Sequence, residues 1–462
     1  MVAARRLTHR LAFLALVLVA PSCVDDLAPV TRPSALAEPV ARCEVAGPRP
    51  ALRLPVWDLF VTDANWDRLH ADVRADVEVD AQLCIDGELE PIELELQGTS
   101  GRLRDKKSFK LKLDRDRELA RVGFDDEGGD ETIDKVFLRA VWIDQSLVRE
   151  AVAFDLWREM GHNAPRVGYA NLRINGDYWG LYTVVEPVDE DYLPRNGYPT
   201  GGQLYKATRK HGSRADFAPG RDLVKAFEDK TDRDDDEDED EDDDVDEGDD
   251  DRPRADLKRL IEKLQKTPLD QAAFEREIDP IFSLDDYIDR MVWVAFTRNG
   301  DATSQNYYLY NAPSEGRDRW VQIPWDSDLC MGSNWKDRDV VPSPEVSLML
   351  DGSNFFGRRL TKVPGLRERY VERFREVLDH VLTESIVQGH LERHAARVRQ
   401  DLEEDQLRWG RHVSPDEAFE VIREFVPARV DALRHGLDTT FGPAGEHTAP
   451  VAPAEDDGSS DE

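Results

Sequence analysis

The alternation of apolar and polar positions changes period midway along the chain. In the first half, residues 76–85, 88–97 and 108–113 alternate with a period of two, the spacing of half-buried strands, and 54–62, 167–174 and 178–185 also read as strands. Asp86-Gly87 and Asn175-Gly176 join two pairs of these into hairpins, because both dipeptides accept the positive φ of a tight turn. A short helix is expected over 63–72 with Asp63 as its cap, and a longer one over 146–160, stopped by Gly161. Beyond residue 254 the spacing becomes helical over 255–266, 283–298, 366–380, 384–404 and 415–435, interrupted by short strands at 306–310 and 320–323. The expected fold class is α+β, with a strand-rich segment 53–212 and a helical segment 255–442.

Between these segments the pattern vanishes. Residues 232–251 hold 17 acids, one Arg and a lone apolar Val245, about half of the net charge of −35. Such self-repelling, apolar-poor sequence cannot bury enough surface to offset chain entropy, so 213–254 is expected to be a disordered insertion. The Pro-, Ala- and acid-rich tail 443–462 reads the same way. Without the Asp-x-Asp-x-Asp-Gly loop and distal Glu of an EF-hand, the acids would hold calcium only weakly. The acidic remainder carries no basic reader motif, which argues against nucleic-acid binding and favours cations and Lys/Arg-rich protein substrates.

The N-terminus reads as an export signal. Arg5, Arg6 and Arg10 precede a ten-residue apolar run over 11–20, too short for a stable membrane span, and small residues follow up to Cys23. Residues 1–22 are expected to be removed, with Cys23 lipidated and 23–50 serving as a Pro/Ala-rich tether to the membrane of the cell envelope. Ala20 stands where a lipobox carries Leu, so ordinary signal cleavage is the alternative. Export would permit a Cys43–Cys84 disulfide, which spacing does not assign. The chain has no CxxC and no Cys/His cluster for a structural zinc.

The chemistry concentrates between Arg298 and Gly332. Asp301 and Asn306 stand five residues apart, and Asp326-Ser327-Asp328 follows two short strands. The protein-kinase catalytic loop has the same Asp-x4-Asn spacing, with a metal-binding Asp after two strands. Phosphoryl transfer from Mg-ATP uses such groups: one carboxylate orients the attacking hydroxyl, while an amide oxygen and further carboxylates hold the metal. Asp301 would accept or orient the proton of the substrate hydroxyl, and Asn306, Asp326 and Asp328 would be the metal ligands, with Asp326 ranked first. Alternation places Asp326 and Asp328 on one face, where they repel unless they share a hard divalent cation. The plainer readings are a turn Asp beside Gly300, a strand-edge Asn and a solvated Asp-Ser-Asp turn.

This stretch resembles the spore-coat protein H (CotH) kinase-like family in its Asn-x-Asp, Asn-Tyr-Tyr-Leu-Tyr and Pro-Trp-Asp-x-Asp blocks. The resemblance extends upstream, in the same order, to the blocks starting at Leu96, Lys106, Ile174 and Gly202, and covers roughly residues 53–380. It implies an atypical protein-kinase-like, two-lobed fold. In catalytic members it implies transfer of the ATP γ-phosphoryl group to protein hydroxyls with Mg or Mn.

Further candidates lie upstream. Gly98 and Ser100, in the turn Gly98-Thr-Ser-Gly101, would let the backbone approach a phosphate, or form an ordinary turn. Period-2 parity puts Lys107 on the apolar face with Phe109, Leu111 and Leu113, where an ammonium needs an anionic partner or must snorkel out. Glu150, beside the apolar stripe of the 146–160 helix, is the carboxylate a kinase fold would pair with it; a surface Glu among arginines is the other reading. Glu186, ending an apolar strand, is placed near the nucleotide. Three functions compete: a cell-surface Ser/Thr kinase, a catalytically inactive kinase-fold binding or adhesion protein, and a glycoside hydrolase built on two carboxylates, which would leave Asn306 and Lys107 idle.

Overall fold

A computed structural model describes residues 31–43, 51–113, 119–120, 124, 132–209, 214–220, 223–231, 254–313, 316–333, 348–350 and 354–444. The signal segment, Cys23, most of the tether, the acidic tract and the end of the tail lie outside the described residues.

The first half runs β1 (Val56–Phe60), α1 (Asp63–Ala71), β2 (Glu78–Ile85), β3 (Glu88–Gln97), β4 (Ser108–Leu113), β5 (Leu119–Ala120), β6 (Thr132–Ile133) and β7 (Lys135–Arg139). It continues with α2 (Arg149–Glu159), β8 (Val167–Ile174), β9 (Asp177–Val185), α3 (Tyr192–Arg195), β10 (Gln203–Ala207) and β11 (Phe227–Asp229). Seven strands close into a barrel in the order β1-β2-β3-β4-β7-β9-β8, antiparallel except where β1 meets β8. Alternation explains the closure: Leu59, Leu83, Leu94, Leu111, Leu138, Leu172 and Val184 point to one shared interior. Outside, Lys110 meets Glu95 across β3 and β4, and Lys112 meets Glu93. Helix α1 packs Trp66 and Leu69 against this core. Its cap is Thr62, whose hydroxyl accepts from the Asn65 N–H at 3.3 Å, so Asp63 is the first helical residue and not the cap expected.

The second half runs α4 (Ala255–Lys266), α5 (Gln271–Glu277), α6 (Leu284–Thr297), β12 (Tyr307–Ala312), β13 (Arg317–Pro324), α7 (Phe355–Thr361), α8 (Pro364–Glu376), α9 (Glu384–Arg408) and α10 (Pro415–Phe441). β10, expected with the strand-rich first half, leaves the barrel and pairs with β12 in a second sheet of order β11-β10-β12-β13. That sheet, α2 and helices α4 to α10 share a second, larger core, and it includes Phe217, Leu223 and Phe227, so the first part of the insertion expected to be disordered over 213–254 is packed and supplies β11.

Helix α9 joins the barrel through two carboxylates. Asp401 accepts the backbone N–H groups of Arg53 and Leu54, at 3.0 and 2.8 Å, and the Asn171 amide at 2.6 Å. Asp405 accepts the Leu181 N–H at 2.8 Å and the Lys106 ammonium at 2.7 Å. This approach requires Gly180: its φ is +135°, and a Cβ there would lie 2.3 Å from the Asp405 carboxylate. Cys43 and Cys84 form a disulfide that ties the segment before the barrel to β2. Among the described residues no helix is long and apolar enough to cross a membrane.

Candidate functional site

Two segments of the second half meet two elements of the first at one point. The Ser283 hydroxyl caps α6, which ends at Arg298 with a left-handed φ of 55°. The chain then turns through Asn299 and Gly300 into a single 3-10 turn over Asp301–Thr303. Asn299 is fully buried and locks this loop: its Oδ1 accepts the Ala302 N–H at 3.3 Å and its amide donates to the Ser327 hydroxyl at 3.1 Å. Arg290 of α6 donates to the Ala302 carbonyl, and its guanidinium lies over the Tyr307 ring at 4.2 Å. Asp301 and the Asp326–Asp328 segment are thereby held in one frame.

Asn306 sits at the start of β12 with φ of 60°, opposite the end of β13. Its N–H donates to the Ala207 carbonyl, its carbonyl accepts from the Trp325 N–H, and its side-chain amide donates to the Asp326 carbonyl at 3.2 Å. Asp326 also has a positive φ, 49°. Two neighbouring non-glycine residues in this sparsely allowed region hold the carboxylate where a regular strand exit would not.

The centre of the site is Arg139, the last residue of β7. Its guanidinium bonds both the Glu150 carboxylate, on the first turn of α2, and the Asp326 carboxylate, and lies 3.9 Å from Asp328. Glu150 also accepts the Ser327 N–H at 3.2 Å. Burial opposes the charge on Arg139, but Asp326, Glu150 and Asp328 outweigh it and hold the guanidinium protonated. Burial raises the Glu150 carboxyl, against the pull of Arg139. Burial and then the Asp326 charge push Asp328 well above the ordinary carboxylate range. Burial also raises Asp301, offset by Arg209, whose guanidinium stands 3.9 Å away.

The sequence candidates therefore separate into two groups. Asp301, Asn306, Asp326, Asp328 and Glu150 come together. Lys107 does not join them, and the expected Lys107–Glu150 pair is replaced by Arg139–Glu150. Lys107 precedes β4, and its ammonium donates to the Arg102 carbonyl at 2.7 Å and to that of Arg104, so it anchors the turn after β3. Gly98, with φ of 89°, and Ser100 form that exposed turn. Glu186 is buried and faces Arg166, whose N–H it accepts at 2.8 Å, together with Arg195.

Sequence reasoning missed Arg139, Asn299 and the neighbouring Lys206. The signal for Arg139 was faint: Val136 and Leu138 alternate over a strand too short to stand out beside a charged stretch.

Three carboxylates facing one guanidinium leave the cluster short of positive charge, and one oxygen of Glu150, Oε2, is buried without a partner. Among the described residues no group of three or more His, Cys, Asp or Glu side chains gathers to hold a metal. Glu150 and Asp326 both bond Arg139, so a divalent cation would share Asp326 with the guanidinium and add Asp328, relieving the mutual repulsion of these hard oxygen donors. Such a donor set fits a cation completed by a phosphate-bearing ligand and does not make a closed protein site.

Asp301, Asn306, Asp326 and Asp328 thus gather beside a buried Arg139–Glu150 pair that joins sheet to helix. The chain belongs to the CotH kinase protein family, which it matches over residues 94–433, and that membership implies ATP as the nucleotide. It is 24% identical over 394 residues to the inner spore coat protein H of Bacillus subtilis (strain 168), across 83% of this chain and 98% of that protein.

Proposed function

We propose that this protein is an exported, envelope-associated kinase that transfers the γ-phosphoryl group of ATP to Ser or Thr hydroxyls of a protein substrate, basic peptides being favoured. The observation that supports this reading most is the convergence of Asp301, Asn306, Asp326 and Asp328 on the Arg139–Glu150 pair. In it, Asp301 orients and deprotonates the substrate hydroxyl, its raised pKa suiting a group that takes up a proton. Asp326 and Asp328, with Asn306 beside them, hold Mg or Mn, which would neutralise the phosphates. Glu150 fixes the Arg139 guanidinium, which stabilises charge on the transferring group. The spore-coat relative and the signal-like N-terminus support action at a cell surface, with Cys23 as the lipid anchor.

One observation favours a second reading. Arg139 already satisfies Asp326, as an internal cation would in a fold kept for binding or adhesion after loss of catalysis. Incorporation of γ-labelled phosphate into a Lys/Arg-rich peptide in Mg or Mn separates the two. Transfer that disappears in Asp301→Ala supports the kinase, and absence of transfer by the wild type supports the binding protein.

A further inference from the structure

A second cation faces Asp326 from the other sheet. Lys206 lies on β10, opposite Tyr308 of β12 and Glu228 of β11. Its ammonium sits 5.7 Å from the ring centre of Trp325 and 6.0 Å from that of Tyr308. The Arg139 guanidinium lies 5.9 Å from the same Trp325 ring. One indole, immediately before Asp326, thus has two cations over it, one from the barrel and one from the second sheet. Phe137 closes the ring from the barrel side at 5.4 Å, and Tyr308 stands at its edge at 5.7 Å.

The two cations are not equally served. Arg139 has Glu150 and Asp326. Among the described residues, the Lys206 ammonium makes no ion pair or hydrogen bond, and Glu228 is engaged by Lys230 at 2.8 Å. The side chain is half-buried, and this burial pulls its pKa down, with Glu228 only partly opposing. An aromatic face returns part of the lost hydration but not all of it. A lysine held this way, near a carboxylate cluster short of positive charge, is matched to an anion that brings its own cation.

We infer that Lys206 is a phosphate-binding residue of the nucleotide site, gripping the triphosphate of metal-bound ATP from the second sheet while Arg139 grips it from the barrel, with the Trp325 ring between them. The inference rests on the kinase reading and extends it to a residue with no assigned role. The pairing of β10 with β12 is what carries the lysine to the Asp326 side of the site.

Titration calorimetry with MgATP on wild type, Lys206→Met and Lys206→Arg tests this, with circular dichroism to check each fold. Lys206→Met should weaken MgATP at least tenfold, and Lys206→Arg should recover part of the loss. An ATP acyl-phosphate, whose mixed anhydride acylates an amine next to the phosphates, should label Lys206 in the wild type and be competed by MgATP. This second measurement holds even if Lys206→Met fails to fold. Folded Lys206→Met binding within twofold of wild type, or labelling that goes only to other lysines, overturns the role of Lys206 and leaves the kinase reading standing. A wild type that binds no MgATP overturns both.

Discussion

Arg139 and Glu150 form a buried ion pair between the last residue of a barrel strand and the first turn of the following helix, and the same guanidinium reaches Asp326. Strand, helix and the exit of the β12–β13 hairpin are therefore set by one side chain. Leaving one member of a buried pair uncompensated typically costs about 3–5 kcal/mol.

Arg139→Met should lower stability by that order and make it respond to divalent cation. With the guanidinium gone, Asp326, Asp328 and Glu150 repel, and Mg becomes the remaining source of positive charge. Thermal melts with and without Mg should show a larger upward shift in Arg139→Met than in wild type. Equal shifts would remove the charge-deficit argument.

Asp301→Asn and Asp326→Ala should separate in kinetics and binding. Asp301 acts on the hydroxyl in the transition state, so Asp301→Asn should cut kcat by about 10²–10⁴ and spare MgATP affinity. Asp326→Ala removes a metal contact made in ground and transition states alike, so MgATP affinity falls with turnover, and the dependence on Mg is lost. Full turnover in either variant would show that the site has been misplaced.

The Lys106–Asp405 pair, 2.7 Å apart and almost wholly buried, should behave as a unit. Lys106→Met alone strands a carboxylate between the barrel and α9, at a cost of about 3–5 kcal/mol. The double variant Lys106→Met/Asp405→Leu should be less damaging than the sum of the single changes. Additive losses in urea melts would mean that the two side chains act independently.

His70 should make the fold acid-sensitive. Burial lowers its pKa from 6.5 to about 4, against a hydrogen bond to the Trp66 carbonyl, while Lys107 and Arg32 lower it further. Above pH 6.5 both folded and unfolded chains hold a neutral ring, and this group adds no pH dependence. Between 6.5 and about 4 only the unfolded chain binds the proton, so stability falls as pH falls and levels off below. After discounting for partial exposure, the loss is roughly 2 kcal/mol. Subtracting the urea-melt stability curve of His70→Asn from that of wild type should isolate this step, and a flat difference would refute it.

The barrel strands, most of the helices and the cluster of Asp301, Asn306, Asp326 and Asp328 were legible because each is written locally. Period-2 alternation marks Phe109, Leu111 and Leu113 as interior whatever they pack against, and the acids lie within one stretch. The choice of partners was not local. Glu150 meets Arg139 because β7 pairs between β4 and β9 when the barrel closes, and Asp326 reaches the same guanidinium from 187 residues away. Lys107 carried the right parity for that role but precedes its strand, so its ammonium falls on loop carbonyls of its own turn. Lys206 came to the site only because β10 chose β12. Periodicity specifies which face of an element is buried, and only the closure of the sheets decides which charged side chain from one element stands opposite a carboxylate of another.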